Sequence, residues 1–242
     1  MSLVFTTTSC DMDLTPDSAV PEHEALRTID DCDAWVVGIY SAFKNSALYS
    51  GYMTLLPDIQ ADMAYAALNT NNGFYTNIYQ WDIKSTTDEI IAVYNGLYTI
   101  VARCNFFLDY KDQVEVNLKT TADKDNFKKR LGEVYFARAM AYAELIRLFC
   151  EPMTSVNADT ENMGICLPTT YRDDVPKVKR STLRESYNQI ISDLKSAEDN
   201  LPDSRTVADS HYFSKGAVYA LRARIYICLL YTSPSPRDAH ES

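Results

Sequence analysis

The sequence predicts an all-α, predominantly helical fold of tetratricopeptide-like repeat character with long irregular loops. Three observations carry that prediction. The stretch LGEVYFARAMAYAELIRLFC, from Leu131 to Cys150, sets Val134, Ala137, Ala141, Leu145 and Leu148 at helical spacing. Tyr135, Tyr142 and Phe149 widen its apolar face, and the small Ala137, Ala139, Ala141 and Ala143 let other helices come close. A helix so built expects helical neighbours on more than one side. Second, GEVYFARAMAY (Gly132 to Tyr142) aligns without gaps with GAVYALRARIY (Gly216 to Tyr226) and matches at six of eleven positions. Two equivalent helices of a repeat fold explain this, although the offset fits no multiple of the roughly 34-residue tetratricopeptide period. A chance match between two Ala/Tyr-rich helices is the competing explanation. Third, only 7 Gly and 9 Pro in 242 residues, with 46% hydrophobic content, leave room for long helices and a substantial core.

Taken in order, the first helix is expected from Asp30 to about Leu48. Trp35, Val36, Ile39, Tyr40 and Phe43 form its stripe, behind Asp30, Asp31 and Asp33, whose charge suits a helix N-terminus. The next runs from Ser85 to Asp109, with Thr86 and Glu89 spaced as a capping box and Ile90, Val93, Leu97, Val101 and Leu108 on one face. The Leu131–Cys150 helix follows the charged stretch from Asp123 to Arg130. A fourth spans about Thr182 to Leu201, capped by Thr182 and Glu185 and stopped by Pro202. A fifth starts near Ser214. Glu151 to Arg180, interrupted by Pro152, Pro168 and Pro176, and Tyr65 to Asp82 show no sustained period.

Charge narrows the function. The formal net charge of −10 argues against nucleic acid, whose binding requires Lys and Arg to neutralise phosphates. It equally argues against adhesion to anionic lipid through a basic patch. No run of about 18 apolar residues is present. The six cysteines include no CxxC pair, so neither a zinc site nor a disulfide scaffold is indicated. Cys104, Cys150 and Cys228 fall on apolar helical stretches and are expected to be small buried residues. No P-loop, dinucleotide fingerprint or G-x-S-x-G is present, and no cofactor or metal is expected.

The segment YAALNTNNGFYTNIYQWD interleaves Tyr65, Phe74, Tyr75, Tyr79 and Trp81 with Asn69, Asn71, Asn72, Asn77 and Gln80. Aromatic faces stack on the apolar C–H face of a pyranose, and amides exchange hydrogen bonds with its hydroxyls. The candidate ligand-binding residues are Asp62, Tyr65, Asn72, Tyr75, Tyr79 and Trp81. The competing reading has Tyr79 and Trp81 anchoring the loop to the core while the asparagines make turns. Asp58 and Asp62, four apart, could share a helix face as a glycosidase or Ca²⁺ pair would. Glycosidase carboxyls, however, usually come from separate elements across a cleft. No catalytic residue is assigned.

GEVYFARAMAYAELIRLF resembles the GE-x-x-F-x-RA-x-x-Y-x-x-L-x-x-x-F helix of SusD-like (RagB/SusD) proteins of Bacteroidetes, although Cys150, Glu151 and Pro152 stand where the family usually continues with Gly and Pro. RSTLRESYNQIISDLKSAEDNLP and HYFSKGAVYALRARIY are similar to two further helices of that family. The resemblance implies a non-catalytic, surface-exposed outer-membrane lipoprotein. It would capture oligosaccharide, or in some members peptide, for a SusC-like TonB-dependent transporter, with the lipid anchor its only membrane attachment. Thr8-Ser9-Cys10, followed by Asp11 and Asp13, then reads as a lipidation site at Cys10; on residues alone, a frayed tail with an incidental cysteine explains it equally well. The implied organisation is a truncated signal and acidic linker over 1–22 and a SusD-like N-terminal helical domain over 23–230. Residues 231–242, YTSPSPRDAHES, resemble a translated sequencing adaptor and are expected to be a non-native tail, with the family's second half absent; a native polar tail is the competing explanation. Two other classes stay open: a helical-repeat scaffold binding peptide or protein through a groove without an aromatic cluster, and a glycan-active enzyme with two close carboxylates.

Overall fold

The computed structural model describes residues 21–67, 73–153, 156–171 and 179–230. Seven α-helices account for most of the described residues: α1 (Ile29–Phe43), α2 (Tyr52–Gln60), α3 (Thr76–Tyr79), α4 (Asp88–Glu115), α5 (Thr121–Phe149), α6 (Leu183–Asn200) and α7 (Lys215–Leu230). Among those residues no strand forms, only an isolated antiparallel bridge between Cys166 and Arg180.

Three helices start on the same device. Thr28, Thr120 and Thr182 sit in extended backbone, and each hydroxyl accepts the N–H of the residue three further on. That residue's carboxylate, Asp31, Asp123 or Glu185, accepts the threonine N–H in return. Two otherwise unpaired helix-end donors are satisfied at each start. The third box is the one expected from the sequence. The second places the start of α5 at Thr121, so the charged 123–130 stretch is part of the long helix, exposed except for the buried Phe127 and the largely buried Arg130. The box expected at Thr86 and Glu89 is not formed. Thr87 precedes α4, and its hydroxyl instead accepts the Lys84 N–H at 3.0 Å, closing the preceding turn. α1 stops at Phe43, and Leu48 is buried from a turn beyond it.

α5 lies at the centre, packed against α6, α4, α1 and α7. Its alanine-rich part is buried almost all round: Val134, Ala139, Ala141, Tyr142 and Leu145 have no exposed surface. Burying one such Leu or Val stabilises by about 1.5–3 kcal/mol. Gly132 marks the closest approach, because a Cβ there would lie 2.8 Å from Leu201 Cγ. α4 has the length and mean hydropathy of a membrane-crossing helix, yet its Leu97, Ile100, Val101 and Phe107 are buried in this core.

Inside the core, Arg138 of α5 donates from Nε and Nη2 to the Asp193 carboxylate of α6 at 2.8 and 2.7 Å, and from Nη1 to Asn105 of α4 at 2.8 Å. Asn105 and Tyr142 both donate to the Pro168 carbonyl at 2.6 Å, and Tyr98 donates to the Cys166 carbonyl at 3.0 Å. The irregular connection between α5 and α6 is therefore tied to the helices through its own carbonyls.

α7 departs from expectation in its cover. Among its described side chains, only Val218, Leu221 and Ile225 are buried. Cys228 is consequently exposed and Cys150 half-buried, whereas Cys104 alone of the three is fully buried as anticipated.

Candidate functional site

Residues 73–82 of the Tyr65–Asp82 segment sit on a core of their own. Leu56 and Ile59 of α2 and Ile78 of α3 form a small cluster separate from the main one, and Tyr75, Tyr79, Ile83 and Ile90 pack around it half-buried. α2 was not anticipated, because its nine residues YMTLLPDIQ carry Pro57 in the interior. α3 is a single turn, fixed by Ile78, which has no exposed surface.

Backbone conformation then directs the side chains. Asp62, Tyr75 and Trp81 occupy the left-handed region at φ of 57°, 59° and 58°, with Gly73 at 52°. For residues other than glycine that region costs roughly 1–2 kcal/mol each, and such positions gather where function demands a particular geometry. At Asp62 the chain leaves α2. Met63 and Ala64 donate N–H to the Asp58 carbonyl at 2.9 and 3.1 Å, closing the helix end. At Trp81 it leaves α3, with the Trp81 N–H on the Ile78 carbonyl at 3.2 Å and the Asp82 N–H on the Asn77 carbonyl at 2.9 Å.

The result separates the candidate residues. Trp81 is 65% exposed and Tyr65 80% exposed. Neither is a core anchor. Tyr79 is half-buried against the small cluster and serves packing at least as much as contact. Tyr75 is half-buried and meets Tyr52 edge-on at 6.1 Å and Phe74 at 6.2 Å between ring centroids. Burial first, then Tyr75 and the acidic Glu89 and Asp88, push the Tyr52 phenol above its ordinary value. Asn72 and Cys10 lie outside the described residues. Asp58 and Asp62 do not share a helix face: Asp58 is on α2, and Asp62 stands beyond its end with left-handed backbone.

Two exposed side chains add to the set without having been singled out as contacts, Phe74 at 67% and Met63 at 79% exposure. Phe74 was visible as part of the aromatic run, whereas Met63 carried no signal. Beside the segment, a 380 Å³ cleft runs between α2 and α4, lined by Tyr52, Leu56, Ile83, Ile90, Leu148 and Phe149 among others. Lys84 pairs with Asp82 at 3.0 Å, so these two charges at the segment's edge offset each other. Among the described residues no group of three or more His, Cys, Asp or Glu is placed to hold a metal ion. Apart from Asp62 and the Lys84–Asp82 pair, the exposed side chains of the candidate set are largely aromatic, a chemistry suited to stacking on a ligand.

Residues 12–227 match the family model for SusD-like proteins described as starch-binding and associating with the outer membrane. A SusD-like protein of Formosa agariphila is 21% identical over 231 residues, which is 95% of this chain and 41% of that protein. Among solved structures, a SusD homologue from Bacteroides thetaiotaomicron superposes with a TM-score of 0.70 at 24% identity, over 85% of this chain and 37% of that one. A laminarin-binding SusD-like protein superposes with a TM-score of 0.61 at 18% identity, over 82% and 40%. The chain thus spans about two fifths of the length of these relatives.

Proposed function

We propose, given that this chain belongs to the SusD-like family, that it contributes the N-terminal part of a non-catalytic glycan-binding protein at the cell surface, and that the Tyr65–Asp82 segment faces the ligand. The observation that carries this reading is the exposure of Trp81 beside a dedicated small core, together with the exposure of Tyr65. An unliganded protein gains nothing by holding an indole in water on left-handed backbone. A pyranose face laid on it would gain the apolar contact and about 0.5–1.5 kcal/mol of ring-specific attraction. The laminarin-binding relative supports a neutral polysaccharide as the ligand class. The exposed aromatic cluster disfavours the peptide-binding scaffold, which was expected to offer a groove without one.

The family's description, associating with the outer membrane, supports surface attachment through a lipidated Cys10 and delivery to a SusC-like TonB-dependent transporter. Both belong to the same proposal. The reading is tested by titrating the full-length protein with neutral oligosaccharides of α- and β-glucan type while assaying for released reducing ends. Saturable binding without hydrolysis is the expected result. Turnover, or binding to unstructured peptides in place of glycans, would overturn it.

A further inference from the structure

The cleft beside the aromatic segment lies at the seam between the two cores. Leu56, Ile83 and Ile90 on its lining belong to the small core, and Val93 and Phe149 to the large one. Tyr52 packs against both cores, lines the cleft and meets Tyr75 edge-on at 6.1 Å. It therefore joins the cleft to the candidate ligand surface. Protein interiors are close-packed, whereas this seam keeps an open volume of 380 Å³. A largely apolar hollow of that size, with a few polar groups on its walls, is the usual form of a small-molecule site.

The lining decides what enters. Aliphatic walls cannot replace the water around sugar hydroxyls, so a bare pyranose would lose hydrogen bonds there. A flat apolar ring would lose none, and α2 and α5 supply one aromatic side chain each to receive it, Tyr52 and Phe149. Gln60 and Arg147 add polar groups. Arg147 donates from Nε to the Glu144 carboxylate at 2.6 Å, so its charge is offset and calls for no anion. Building on the reading that this protein binds a neutral glycan, we propose that the cleft is a second subsite, which takes a neutral aryl group attached to the sugar. The carbohydrate lies along Tyr75 and Trp81, and its aryl substituent passes Tyr52 into the cleft.

The test titrates the full-length protein with a neutral gluco-oligosaccharide in three forms. One is the methyl glycoside, the second carries a phenyl group at the reducing end, and the third carries a benzoyl ester at the other end, so that both orientations are sampled. At least one aryl form should bind wild type about tenfold more tightly than the methyl glycoside. Leu148 lines the cleft and is exposed, and Leu148→Trp fills the space from the α5 side. That variant should bring the aryl and methyl affinities to within about twofold of each other. Gln60→Trp, at a half-buried position on the α2 side, fills it independently should Leu148→Trp fail to fold. Equal affinities of all three forms for wild type would overturn this proposal alone. So would an aryl preference that survives in every folded filling variant, because the ring would then rest elsewhere, as on Trp81. Failure of all three forms to bind would sink the glycan reading and this proposal with it.

Discussion

Arg138 and Asp193 face each other across the α5–α6 interface in a two-pronged ion pair, with side chains only 6% and 2% exposed. Burial holds the Asp193 carboxyl above its ordinary value, and the guanidinium offsets only part of that rise. Gln189 donates a further hydrogen bond to the same carboxylate at 3.0 Å. A pair this deep is costly to break from one side. Arg138→Met, which strands the carboxylate, should lower unfolding free energy by about 3–5 kcal/mol, whereas the double change Arg138→Met with Asp193→Leu should recover a large part of it. Urea unfolding of the three variants measures this, and a double variant as unstable as the single would show that the pair is not the cause.

Loss of stability in acid is carried by a different carboxylate. Burial would raise Asp31, but hydrogen bonds from Thr28 and the backbone N–H groups of Arg27 and Thr28 outweigh it and hold the group below its ordinary value. A carboxylate lowered in the folded state adds stability that is complete above the unfolded value near 3.9, and that stability disappears as pH falls through the folded value. Asp31→Asn should therefore cost about 1 kcal/mol at pH 7 and show a shallower loss of stability than wild type between pH 5 and 2. Parallel curves for the two proteins would remove Asp31 from the account.

The small core under the aromatic segment should be separable from the large one. Ile78 is fully buried between α2 and α3, so Ile78→Ala leaves a cavity and should cost about 2–4 kcal/mol locally. Hydrogen exchange should quicken over residues 75–82 while α5 and α6 keep their protection. Uniform loss across the chain would mean that the two cores unfold as one.

Much of this architecture was legible from residue order. The alanines of α5 announced close neighbours on several sides, and Thr182 with Glu185 and Pro202 bounded α6 correctly. What escaped was decided by tertiary contact or by choice among equivalent residues. Thr86 and Glu89 fit the capping pattern, but Thr87 precedes the helix and uses its hydroxyl on Lys84. α2 was hidden by Pro57 and by its short length, and it is held in place largely by Ile78, from beyond its own sequence. In the candidate site, composition located the segment but could not sort its rings. Tyr79 and Trp81 are two residues apart and chemically alike. The turn of α3 directs one onto Ile78 and the left-handed backbone at Trp81 sends the other into solvent. The exposed face of α7 was invisible for the opposite reason: its sequence matches a stretch of α5 that is almost all buried.

Trp81 tests the central claim most directly, because ligand contact and packing make opposite demands on it. Binding of a neutral glucan oligosaccharide and unfolding by urea should be measured together on wild type, Trp81→Ala and Trp81→Gly, in the full-length protein. An exposed stacking ring predicts affinity lowered by about 1–3 kcal/mol in both variants, with stability of Trp81→Ala within about 0.5 kcal/mol of wild type. Trp81→Gly should be the more stable of the two variants by about 1 kcal/mol, since glycine relieves the left-handed backbone. Undiminished affinity, together with a stability loss of about 3–5 kcal/mol in Trp81→Ala, would contradict the account and make Trp81 a packing residue.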